Sequence, residues 1–141
     1  MLYVLREEEA NKNMEDVMNW RLPDKEELNL MYENLHKKGI GGFTNTFYWS
    51  SSEHSAVTAW IQGFYYGHQY YSNKGNKDGG LWVRAVRAFQ SDKNYKIGDI
   101  TETGIIFHVN ENIYKECKFK DELEHHTWYE SMESFEERGN S

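Results

Sequence analysis

The chain has 141 residues, of which 38% are hydrophobic and 16% aromatic, and 23 acidic side chains against 16 basic ones leave a formal net charge of -7. That length makes one domain with a small core in which Trp and Tyr supply much of the buried area. The acidic balance argues against nucleic-acid and anionic-membrane partners, because neutralising phosphates takes a basic surface, and it weighs less strongly against sulfated polysaccharides.

Cys117 is the single cysteine, so neither an intramolecular disulfide nor a cysteine-rich metal site is expected. The first residues are acidic after a short apolar start, and no basic leader precedes an apolar run. No signal peptide is expected, no apolar stretch approaches bilayer length, and the cellular location stays unknown.

Residues 5–18 fit a frayed helix or a solvated arm, with Leu5, Met14, Val17 and Met18 loosely spaced. Pro23 stops what precedes it. Asp24 and Glu27 then form a capping box, and Leu28, Met31, Tyr32 and Leu35 fall at helical spacing. A helix is predicted over Lys25–Lys38, closed by Gly39. The run Gly39 to Phe43 (GIGGF) follows a helix and lacks a GK[ST] pattern, so it reads as a turn and not as a phosphate loop.

Strands are predicted at Phe47–Ser51, Ala59–Tyr65 and His68–Ser72, the last two forming a hairpin broken by Gly67. In the second, Trp60, Gln62 and Phe64 share one face while Ile61, Gly63 and Tyr65 share the other. Residues 73–80 are a polar glycine-rich loop, and Leu81–Phe89 reads as one near-continuous central strand. Arg84 and Arg87 then face opposite sides, with at least one buried against Asp or Glu as a structural pair. Further strands are predicted at Tyr95–Asp99 and Gly104–Asn110, the latter pairing with Tyr114–Lys118 across Glu111 and Asn112. An amphipathic helix follows over Glu122–Arg138, with Leu123, Trp128, Met132 and Phe135 as its apolar stripe. The expected class is α+β: two main helices around a small, twisted, mostly antiparallel sheet with long polar loops.

From Trp20 to Phe89 four motifs occur in order: WRLPDKEELNLMYENLHKKGIGGF, YWSSSE, AW-x-Q-x-F and VRAVRAF. Together they resemble the Lcl C-terminal-like domain family of bacteria and phages. That resemblance covers about half the chain and implies a C-type-lectin-like fold, related to that of formylglycine-generating enzymes. The tail, YKIGDITETGIIFHV followed by YKEC and TWYESME, resembles the segment that normally opens such a domain. Here it comes last. The chain is then a single domain in circularly permuted order, residues 20–89 forming the core and residues 95–137 supplying the missing strand and helix. The alternatives are a slice through tandem domains, or a homo-oligomer that exchanges its tail.

Catalytic signatures are weak. The formylglycine-generating relatives use cysteines, whereas Cys117 lies outside the matching motifs and reads as an idle thiol. Ser50, Ser51 and Ser52 lie near His54 but in no nucleophile elbow, so turn and ladder hydrogen bonds account for them. His125 and His126 are adjacent and on a helix would point about 100° apart, which does not suit one metal ion. No cofactor is expected. Asn76 and Asp78 offer the one place where calcium could be touched.

The resemblance implies structural roles for Trp49, Trp60, Gln62, Phe64, Gly67, Val83 and Val86. It leaves the positions between them open, among them Thr46 and Gly63. Those expected to meet a ligand are Phe47, His54, Ser55, Val57, Thr58, Ile61, Tyr65, Tyr66, His68, Tyr70 and Tyr71. Their Tyr, His, Ser and Thr content is like that of antibody loops, with rigid amphipathic rings between adaptable hydroxyls. It is also similar to the variable surface of diversity-generating-retroelement target proteins. Cross-strand packing of the tyrosines is the competing account. The expected function is non-catalytic recognition of a protein or glycan. The alternative is a structural or assembly module of a larger bacterial surface or phage protein.

Overall fold

The computed structural model describes residues 19–76, 81–124 and 126–139. The stretch 5–18, Asp78 and His125 lie outside the described residues. Among the described residues the architecture is α+β, with two α-helices and two mostly antiparallel sheets where one sheet was expected.

Helix α1 (Lys25–Asn34) begins as its sequence dictates. Asp24 is extended, its carboxylate accepts the Glu27 N–H at 2.7 Å, and Glu27 accepts the Asp24 N–H at 2.9 Å. The α-helix ends at Asn34, short of the expected Lys38. Leu35 caps it, and His36–Lys38 tighten into one 3-10 turn closed by Gly39 at φ 76°.

Glu27 carries more than a cap. Arg21 grips both its oxygens at 2.6 and 2.7 Å, Lys115 adds a contact at 2.9 Å, and the side chain is 1% exposed. Burial pushes this carboxyl up. The Arg21 hydrogen bonds and charge, the Asp24 N–H and Lys115 outweigh that and bring its pKa from 4.5 to about 2.

The larger sheet runs β3-β2-β1-β4-β8, built from β1 (Phe47–Glu53), β2 (Thr58–Gly63), β3 (Gln69–Asn73), β4 (Leu81–Val83) and β8 (Leu123–Glu124). Only the β1–β4 pair is parallel. The smaller sheet runs β5-β7-β6, built from β5 (Val86–Gln90), β6 (Ile105–Asn110) and β7 (Ile113–Cys117). The hairpin β6–β7 turns at Glu111, which takes φ 56°.

Three expectations are corrected. Leu81–Phe89 is not one strand but two, β4 and β5, in different sheets. The chain leaves the first sheet at Arg84, whose side chain is fully buried. Its guanidinium donates to Asp121 at 2.8 Å and to the carbonyls of Gly41, Lys118 and Gly42 at 2.7, 3.0 and 3.2 Å. Tyr95–Asp99 is a turn, because the Asp99 carboxylate accepts the Lys96 N–H at 2.8 Å and closes the backbone on itself. The second helix, α2, runs Trp128–Gly139, and Leu123 lies instead in β8. Its start is a second capping box: Thr127 Oγ1 accepts the Glu130 N–H at 3.1 Å, and Glu130 accepts the Thr127 N–H at 2.9 Å.

One face of the larger sheet, through Trp49, Ala59, Ile61, Leu81 and Val83, packs on Trp128 and Phe135 of α2. Two indoles lock that contact. Trp49 Nε1 donates to the His126 carbonyl at 3.0 Å, and Trp128 Nε1 to the Ser50 carbonyl at 2.8 Å. On the other side Tyr48 and Phe64 share a core with Leu28, Met31 and Leu35 of α1 and with Val86, Ile105, Phe107 and Cys117 of the smaller sheet. Among the described residues, no helix is long and apolar enough to cross a membrane.

Arg84→Ala is expected to destabilise the fold by about 3–5 kcal/mol, because Asp121 is left buried without its cation. Urea unfolding reads this, and an unchanged midpoint would contradict it. Glu27 gives a pH dependence of known sign. Its folded pKa is depressed, so its contribution is complete above pH 4.5 and is lost as pH falls toward about 2. Stability should drop by up to about 3 kcal/mol across that window. Glu27→Gln should lower stability at neutral pH and flatten this part of the profile.

Candidate ligand-binding surface

The β2–β3 hairpin is held from below by amides. Gln62 is fully buried and donates to Asn29 Oδ1 of α1 at 3.0 Å and to the Gly67 carbonyl at 3.1 Å. Gln69 donates to Gln62 Oε1 at 3.2 Å and to the Lys25 carbonyl at 2.7 Å. Gly67 sits at φ 83° against α1, where a Cβ would come within 2.4 Å of the Tyr32 ring. On the other face the Phe47 ring lies over Gly63, where a Cβ would be 3.0 Å away. The turn is thereby seated on the helix, and the aromatic side chains stand on a fixed base.

Alternation along β3 divides the expected surface in two. Tyr70 is opposite Ile61 and Tyr71 is opposite Trp60, so the two neighbouring tyrosines point to opposite faces of the sheet. On the α2 side, Phe47, Tyr70, His68, Tyr66 and Tyr65 form a chain of ring contacts, with centroids 6.0, 6.0, 6.2 and 4.4 Å apart in that order. His68 Nδ1 lies 3.1 Å from the Tyr70 hydroxyl. Tyr65 and Tyr66 are 63% and 72% exposed, and Phe47 and Tyr70 retain 36% and 48%.

On the α1 side His54 stacks flat on Tyr71 at 3.8 Å, and the Trp60 ring stands perpendicular to both. Lys25 covers Trp60 at 3.6 Å. Thr58 Oγ1 lies 2.9 Å from His54 Nδ1 and 2.5 Å from Ser55 Oγ, which ties down the turn, and Val57 projects at its tip.

Two residues change role. Ile61, expected on the displayed face, is 7% exposed and packs in the core with Trp49 and Ala59. Both faces of β2 are covered, so alternation there does not separate core from display. Trp60, expected to be scaffold, is half-buried and completes the His54–Tyr71 cluster. Its signal was the hairpin register, which sets it across from an exposed tyrosine.

The other candidates are structurally engaged. Ser50 Oγ donates to the Trp60 carbonyl at 2.7 Å, and Ser52 Oγ accepts the Lys25 N–H at 2.9 Å. Burial pushes the Cys117 thiol up to about 12, so its thiolate is suppressed. GIGGF turns carbonyls toward Arg84, the opposite polarity to a phosphate cradle. Asn76 donates to Ser72 Oγ at 3.1 Å. Among the described residues, no three His, Cys, Asp or Glu side chains are grouped to hold a metal ion. A cleft of about 490 Å³ beside Trp20, Thr103, Lys118 and Phe119 is remote in sequence from the aromatic surface and shares no lining residue with it.

The chain matches no protein-family model, no curated protein and no solved structure.

Gly67→Ala should cost about 1–3 kcal/mol, since a side chain is strained at this φ and meets Tyr32. A thermal melt reads the loss, and an unchanged melting temperature would mean that the turn is not held against α1.

Proposed function

We propose that this chain is a non-catalytic recognition module that binds a protein or glycan through the aromatic surface around β3. The observation that carries this reading is the contiguous set of exposed rings, Tyr65, Tyr66, His68 and Tyr70 on a hairpin anchored to α1 and Phe47 at the start of the neighbouring β1. Rigid rings present large amphipathic area at low entropy cost, whereas a surface serving only hairpin packing has no need to leave them open to water.

The scaffold we propose is C-type-lectin-like and of the Lcl C-terminal-like kind. Its support is the ordered motifs from Trp20 to Phe89, together with an α+β arrangement compatible with them. In the permuted order β7 pairs with β5, and β8 with β4, pairings that a tail exchanged between two copies would make as well. The Tyr, His and Ser content of the surface fits a diversified receptor-type domain. The engaged serines and the high pKa of Cys117 speak against nucleophilic chemistry at those groups.

The test is a combined glycan and protein-partner array with the purified chain and with a Tyr65→Ser, Tyr66→Ser, Tyr70→Ser variant. The variant should lose the wild-type signal at least about tenfold, as expected when interface anchors are removed, and should melt within a few degrees of wild type. Binding that survives the three substitutions would sink the proposal. Loss of the fold would favour the packing account.

A further inference from the structure

Alternation leaves a difficulty for any single ligand: the rings lie on two faces of one strand. The strand between them resolves it. In the larger sheet β3 is an edge, paired only to β2 among the described residues. The Gly63 N–H donates to the His68 carbonyl, and the Lys74 N–H to the Val57 carbonyl, each flanking the ladder. Counting inward from these bonds, Tyr70 and Ser72 point their backbone groups at β2, and Gln69 and Tyr71 point theirs away. Among the described residues, neither outward pair has a backbone partner.

Among the described residues, the charges, prolines and bulges that commonly protect an edge are missing from β3. The strand QYYSN has no charge, no proline and regular register along its length. Lys74, just beyond it, is buried and bound to Glu53 at 2.7 Å and to the Ala56 carbonyl at 3.0 Å, so it does not guard the edge. Two outward amides about 7 Å apart, with aromatic rings above and below, match the repeat of an extended polypeptide. Its successive side chains would fall alternately on the Phe47–Tyr70 cluster and on the His54–Tyr71 cluster. A glycan offers no such repeat of donors and acceptors. A second copy of this chain brings another net charge of -7 to the contact, whereas a neutral or basic segment is complementary.

We propose that the partner is an extended, uncharged or basic polypeptide segment that adds as a further strand to the outer edge of β3 and places alternate side chains on the two aromatic clusters. This rests on the recognition reading above and narrows its ligand to protein.

The test selects random octapeptides displayed on phage against the full chain, then synthesises an enriched one. The peptide should bind, and N-methylation at alternate residues should weaken it about tenfold per blocked N–H that faces β3, with little effect at the residues between. Amide hydrogen exchange at Gln69 and Tyr71 should slow in the complex. The proposal is overturned by no enriched peptide, by indifference to N-methylation at every position, or by protection confined to other amides. Slowed exchange at Gln69 and Tyr71 that tracks formation of a dimer would overturn it in favour of a second copy. Glycan signals that depend on Tyr65, Tyr66 and Tyr70, with no peptide binding, would leave the recognition module standing and remove the added strand. Silence of both peptides and arrays would remove both.

Discussion

Arg84 brings a full positive charge to a place that water does not reach, and the structure is arranged to answer it. Four hydrogen bonds run from its guanidinium to Asp121 and the carbonyls of Gly41, Gly42 and Lys118, with the Phe43 ring 4.2 Å from the guanidinium carbon. Asp121 is itself held by the Tyr48 hydroxyl at 2.9 Å and by Thr44. These groups come from β1, the loop after α1, the joint between the two sheets and the connection from β7 to β8. One side chain therefore fixes where the first sheet ends, where the second begins and where the tail returns. An unpaired charge in this position is far more costly than the pair is stabilising, so every one of those segments is constrained together.

Glu27 is the matching acidic centre at the other end of α1. It closes the helix cap, holds Arg21 and reaches Lys115 of β7. Between the two centres, α1 lies against β1 and β2 on one side and β6 on the other. The amides of Gln62 and Gln69 then carry that rigidity out to the hairpin. The result is a surface whose rings are exposed but whose backbone is tied to a helix. Such pre-organisation would lower what the proposed recognition costs in ordering this surface.

Much of this was legible in the residues. The Asp24–Glu27 box placed α1, Glu111 and Asn112 placed the β6–β7 turn, and the Tyr and His runs marked what lies open to solvent. The misses share a cause. LWVRAVRAF reads as one strand because β-propensity sees apolar residues and cannot see that Arg84 has acceptors waiting 43 residues before it and 37 after it. Ile61 and Trp60 exchanged roles because β2 is covered on both faces, which removes the contrast that alternation depends on. The start of α2 was the exception. Thr127 and Glu130 carried its cap in plain view, and the apolar stripe drew the boundary too early.

What the chain determines by itself is local: caps, turns, the period of each strand and the chemistry of the residues left without apolar partners. These depend on neighbours a few positions apart, and the information lies in the same window. What only the tertiary structure decided is which strands share a sheet, which buried charge answers which, and the division of one aromatic run into two clusters around an open edge. Those outcomes depend on pairing register and on contacts between distant segments. A shift of one residue would turn Tyr70 and Tyr71 to each other's face, and the local sequence alone cannot specify which register the rest of the sheet imposes.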